Sequence, residues 1–235
     1  MFFGAINAED DEGVARSGDS RREADARAMT EFGSALLRTR RGAVCCVTIV
    51  GQIEGHMALG EGVKATKYEH VLPLLARIEA SAEARGVLFL LNTMGGDVEA
   101  GLAIAEMFAG MSKPTVSLVL GGGHSIGIPL AVASRETFIA PSASMTVHPI
   151  RMSGTMIAAP QTYHYFNRLQ ERIVRFVTTN SRISAQRYAE LMMAAKDMAA
   201  DVGSVIYGEE AVESGLIDRV GTLSDALAAL DASIE

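Results

Sequence analysis

Residues 86–111 read GVLFLLNTMGGDVEAGLAIAEMFAGM. The first six, Gly86 to Leu91, form a continuous apolar run of strand length, which suits a strand buried on both faces. The paired glycines Gly95 and Gly96 break the run. Asp97 then opens a helical stretch whose acidic first turn suits the positive end of a helix dipole. The segment is therefore a strand, a glycine turn and a helix. The same order follows at once in Pro114 to Leu120, Gly121 to Gly123 and Ser125 to Ser134.

Working outward, Ala43 to Gly51 (AVCCVTIVG) predicts another doubly buried strand. Lys67 to Ala82 has helical spacing, with Val71, Leu72, Leu75 and Ile78 on one side. Glu136 to Ala140 and Ser144 to Ile150 read as short strands, and Gln161 to Asn180 as a long amphipathic helix. Ser184 to Ala195 and Glu209 to Ser214 read as shorter helices. Leu216 to Val220 is a last strand and Leu223 to Leu230 a last helix. Strands and helices alternating in this way predict an α/β fold on a mainly parallel sheet.

The chain has 235 residues, 49% of them hydrophobic, enough for a substantial core in one domain or at most two. Residues 1–41 are rich in charged residues, glycine and serine. They predict an arm that is disordered or ordered only on a partner, with Glu23 to Leu37 as a helical exception. Residues 42–235 make the folded domain. A formal net charge of -7 argues against a general nucleic-acid binder, which needs a basic face to displace phosphate counterions. Cys45 and Cys46 are adjacent, so in a strand they point to opposite faces. They suit small core residues rather than a disulfide or a metal site, and reduced thiols fit the cytoplasm. The amino terminus has no signal-peptide pattern, and no apolar stretch reaches bilayer length. These features predict a soluble cytoplasmic protein with no membrane span, metal or cofactor.

Both glycine turns precede a helix and aim backbone amides outward, as an oxyanion or a phosphate requires. The phosphate reading lacks its lysine: no G-x-x-x-x-G-K-[ST] is present. Gly123-His124-Ser125-Ile126-Gly127 does match G-x-S-x-G, which sets a serine on a sharp strand-to-helix turn with its hydroxyl exposed. A serine helix cap explains those five residues equally well. A nucleophilic serine needs a base. His124 adjoins Ser125 and diverges from it, His56 would have to fold back, and His70 and His164 sit on helices. His148 ends a strand, and Pro149 keeps it out of the helical region. It is either that base or a hydrogen-bonded histidine at the sheet edge. The order serine, acid, histidine of the α/β-hydrolases fits poorly, because Glu136 is the only acid between Ser125 and His164.

Four segments in this order resemble the ClpP family of serine peptidases: LLNTMGGDVEAGLAIAEMF (90–108), GGGHSIG (121–127), SMTVHPIRMSG (144–154) and GEEAVESGLIDRVG (208–221). With ATKYEHVLPLLARIE (65–79) and PQTYHYFNRLQERIV (160–174), they look most like the family's translocation-enhancing branch. The resemblance implies a crotonase-like fold of repeated ββα units with a protruding helix. It also implies peptide-bond hydrolysis through an acyl-enzyme, and homo-oligomeric rings. It carries the nucleophile onto Ser125, the base onto His148, and the oxyanion donors onto the amides of Gly96 and Ile126. The third member falls shortly before the last segment, on Asp201, with Asp197 as the alternative. Met94 stands where the family commonly has proline, and Gly123 and His124 stand where it has small residues. The arm does not resemble the loops that dock ATPase rings, which puts an unfoldase partner in doubt. The expected function is a serine endopeptidase acting on unfolded or short polypeptides inside an oligomeric chamber. The alternatives are a crotonase-like acyl-CoA enzyme and a non-catalytic ring protein that binds a partner.

Overall fold

A computed structural model describes residues 33–151, 158–195 and 202–235. Its spine is β2 (Ala43–Glu54), β4 (Ala84–Gly96) and β5 (Thr115–Gly123), paired in parallel. β6 (Glu136–Ile139) and β9 (Arg219–Val220) extend the parallel sheet on one side. β1 (Ser34–Arg38) closes the other side, antiparallel to β2, and β3 (Ala65–Lys67) pairs with the end of β2. β7 (Ser144–Val147) touches β5 at Gly122 and Ser144 and pairs antiparallel with β8 (Ser204–Tyr207). The architecture is thus mixed α/β with a mostly parallel sheet.

The apolar runs are continuous because the central strands are covered on both faces. Along β4, Val87, Phe89 and Leu91 join one buried cluster and Leu88 joins the other. Val47 and Ile49 of β2 face the first cluster, and Val44 and Cys46 the second, as the two-residue period of a strand demands. Helices α1 (Tyr68–Ala80), α2 (Val98–Ala109) and α3 (Gly127–Val132) supply Leu75, Ile104, Phe108 and Leu130 to the first cluster. The last helix, α7 (Leu223–Ser233), lays Ala226 and Leu230 on the second. Phe89 and Phe108 stack across the β4–α2 contact. Burial pushes the Cys46 thiol up to about 11, so it stays protonated as a core residue.

Helix α4 (Ala159–Thr179) is amphipathic, with Leu169, Ile173, Phe176 and Val177 buried at helical spacing. α5 (Ala185–Met193) and α6 (Gly208–Glu213) follow. Two local readings change. The sheet starts before residue 42: Ser34 to Arg38 form a strand, not an extension of a helix, because their backbone pairs along β2 from Val47 to Ala43. On α1 Leu74 is buried as well, while Leu72 packs only partly buried against the same cluster. The arm's residues 1–32 lie outside the described residues. Among the described residues no helix is long and apolar enough to cross a membrane.

Candidate active site

Two strand ends build the site. At the end of β4, Gly95 and Gly96 have φ values of 90° and 152°, which side chains other than hydrogen rarely tolerate. A Cβ on Gly96 would enter the Ile53 backbone, and one on Gly95 would lie 2.7 Å from Ser125 Cβ. The glycines therefore let this strand end pass between β2 and the serine. At the end of β5, the His124 amide donates to Thr93 O at 3.1 Å and the chain turns. Ser125 takes φ 57°, a left-handed conformation unusual for a residue with a side chain. The Gly127 and Ile128 amides donate back to the His124 and Ser125 carbonyls, which starts α3 directly after Ile126.

The histidine arrives from β7. The Ser125 amide donates to Thr146 O at 2.9 Å, so the serine turn hangs on this strand. His148 follows one residue after the strand ends. Its Nδ1 lies 2.7 Å from Pro149 O. A carbonyl only accepts, so the proton sits on Nδ1 and the neutral ring keeps its lone pair on Nε2. The next amide, Ile150 N–H, donates to Gln170 Oε1 at 2.8 Å, which pins the segment to α4.

Ser125, His148, Gly96 and Ile126 line one pocket of about 150 Å³, with apolar walls that include Val98, Ile128 and Ile173. Four of the five predicted site residues therefore line the same pocket. Asp201, and its alternative Asp197, lie outside the described residues. The other histidines are engaged elsewhere or exposed. His56 Nδ1 lies 3.2 Å from the Tyr68 hydroxyl, and His70 and His164 stand exposed on α1 and α4. His124 Nδ1 lies 2.8 Å from Thr146 Oγ1. Burial, and secondly the charge of nearby His148, holds the His124 imidazole below its ordinary value, which favours the neutral ring. Gln170 and Tyr188 also line the pocket and Thr146 supports it, and no motif in the sequence marks them. The two-residue strand period from His148 was the one signal available for Thr146. Burial raises the Tyr188 phenol, which stays protonated.

A serine in a left-handed turn and a histidine whose Nδ1 faces a carbonyl, lining one pocket with Gly96 and Ile126, make an arrangement suited to acyl transfer. Residues 41–224 match the Clp protease family. The chain is 54% identical over 190 residues to the translocation-enhancing protein TepA of Halalkalibacterium halodurans, covering 81% of this chain and 74% of that protein. It is 24% identical to the ATP-dependent Clp protease proteolytic subunit 1 of Protochlamydia amoebophila, over 69% of this chain and 78% of the relative. It is 25% identical to a Streptococcus pneumoniae ATP-dependent Clp protease proteolytic subunit, over 74% and 83%. With most of its length matched, this chain belongs to the Clp protease family.

Proposed function

We propose that this protein is a serine endopeptidase with Ser125 as nucleophile and His148 as general base. The observation that carries the reading is the shared pocket, lined both by a serine held at φ 57° and by a histidine whose Nδ1 donates to the Pro149 carbonyl. Ser125 Oγ attacks the scissile carbonyl carbon while His148 Nε2 takes its proton. The carbonyl π electrons move onto oxygen, and the amides of Gly96 and Ile126 stabilise that oxyanion. Collapse expels the amine, which takes the proton from His148, and leaves an ester on Ser125. Water, activated by the same imidazole, then releases the acid.

The Pro149 carbonyl already orients the His148 ring. Asp201, or Asp197, would add the negative charge that stabilises the imidazolium formed in each step. The wall offers a hydroxyl and an imidazole, the groups that acyl transfer uses. The acyl-CoA alternative would instead use a carboxylate beside the oxyanion site, and among the described residues none lines this pocket.

Family membership supports assembly into a homo-oligomeric ring whose chamber admits only unfolded or short polypeptides. The relative's name, translocation-enhancing protein, extends the proposal to chains met in an unfolded state during transport. A cytoplasmic site of action fits that role, and the peptidase needs no cofactor or nucleic acid.

Labelling with a fluorophosphonate tests the reading. One probe per chain should attach to Ser125, and Ser125→Ala should abolish both labelling and peptide hydrolysis, a loss of roughly 1,000-fold or more. A Ser125→Ala protein that still cleaves peptides at the wild-type rate refutes it.

A further inference from the structure

We propose that His124 and Thr146 are positioning residues that hold the nucleophile turn against the strand carrying the base. The assignment rests on the peptidase reading of Ser125 and His148.

The nucleophile turn is suspended between two strands. On one side the His124 amide reaches Thr93 O at 3.1 Å, and on the other the Ser125 amide reaches Thr146 O at 2.9 Å. Thr146 makes a second contact across the same gap, from its hydroxyl to His124 Nδ1 at 2.8 Å. One threonine thus binds two consecutive residues of the turn, through its backbone to Ser125 and through its side chain to His124. His148 lies two residues further along the same chain segment. Any slip between turn and strand would therefore change the separation of nucleophile and base directly.

Space as well as bonding fixes the imidazole. A Cβ on Gly122 would collide with His124 Nε2 and lie 2.7 Å from its Cδ2. The ring therefore fills the volume above this glycine, and Gly122 pairs with Ser144 at the start of β7. Gly122, His124 and Thr146 form a wedge: bare backbone beneath the ring, a hydroxyl at its other nitrogen. The wedge also gives a reason for a large residue at 124, directly before the nucleophile. The left-handed Ser125 needs such support, since a strained conformation of this kind persists only when its surroundings over-determine it. A misplacement of about 1 Å in a reacting group is enough to lower a rate ~100-fold.

The test measures the second-order rate of fluorophosphonate attachment to Ser125 in full-length protein, together with the thermal midpoint. Thr146→Val removes the hydroxyl at constant shape and should slow labelling about 10- to 100-fold. Thr146→Ser restores the hydroxyl and should label within about threefold of wild type. Gly122→Ala evicts the ring while leaving both partners in the sequence, and should be as slow as Thr146→Val. Combining Thr146→Val with His124→Leu should slow labelling no more than the slower single change, because both remove one interaction. The assignment is overturned if Thr146→Val labels at the wild-type rate, if Thr146→Ser is as slow as Thr146→Val, or if the two single effects multiply. If Thr146→Val does not fold, Gly122→Ala at the wild-type rate overturns it alone. A wild type that takes up no probe overturns the peptidase reading itself, and this role with it.

Discussion

The two histidines of the site differ in what surrounds them, and the difference predicts how the protein responds to acid. His124 is half-buried, with its Nδ1 against Thr146 Oγ1, and its imidazole titrates below the ordinary value of 6.5 because burial, then the charge of His148, opposes protonation. In the unfolded chain it would titrate at the ordinary value, so near and below pH 6.5 the unfolded state binds the extra proton. The stability from keeping His124 neutral is therefore complete above pH 6.5 and is lost as pH falls through the lower folded value. Urea midpoints measured from pH 8 to pH 5 should fall more steeply for wild type than for His124→Asn, which cannot charge. Parallel curves for the two proteins would show that His124 is not desolvated. The sequence displayed the G-x-S-x-G turn and the histidine before Pro149, because both depend on neighbouring residues. It could not display Thr146 as a partner of His124, because that contact exists only once β7 lies beside β5. The acid is a different case. Asp201 and Asp197 were found by analogy with a motif and not by local chemistry, so no residue around them chose between the two.

At the scale of elements, the site depends on how closely α2 approaches the serine turn. Gly101 lies inside α2, where alanine would normally favour the helix by ~1 kcal/mol. A Cβ there would sit 2.5 Å from Ile126 Cγ1 and 3.3 Å from its Cβ, so the contact reaches well up the side chain. Ile126 is almost wholly buried, and the open space beside it is the pocket it shares with Ser125 and His148. Gly101→Ala should therefore push Ile126 and its amide away from the oxyanion position. The expected result is a protein destabilised by about 1–3 kcal/mol, as overpacking of a core is. Its kcat should fall at least tenfold, read from peptide hydrolysis and urea unfolding. A more stable Gly101→Ala variant with unchanged kcat would show that α2 and the turn are not in register as described. The long elements were legible because their patterns are strong: α4 places Leu169, Ile173, Phe176 and Val177 on one side. The short ones were not. β3 has three residues and β8 four, and they exist because β2 and β7 offer them unpaired edges. β1 was hidden in a charged segment and is a strand only through its pairing with β2. β7 ends at Val147, earlier than the apolar pattern suggested, because Pro149 has no amide to donate and Ile150 N–H turns to Gln170.

For the whole molecule, the unsatisfied feature is the first half of α4. Among the described residues no side chain of this helix is buried before Leu169, which leaves about ten residues, ~15 Å of helix, largely exposed. Tyr163 and Tyr165 stand on that stretch with 69% and 54% of their surface exposed. A helical stretch of this length has little stability of its own in water, and exposed aromatic rings favour burial. The upper part of one sheet face is bare as well: Val50, Met94 and Leu120 are 45%, 65% and 41% exposed where α7 does not reach. A 24.9 kDa chain with two such surfaces is better suited to assembly than to life as a monomer. The proposed ring would cover both. Native mass spectrometry at micromolar concentration should give a mass several times that of one chain. Because the contacts are apolar, the assembly should persist as salt is raised to 0.5 M, where exposed ion pairs are screened. Tyr163→Asp with Tyr165→Asp should reduce the mass to single chains or small oligomers while the circular dichroism of the domain stays unchanged. A wild type that is monomeric at high concentration and still hydrolyses peptides would mean that the chamber is not needed, and that the exposed half of α4 has another partner.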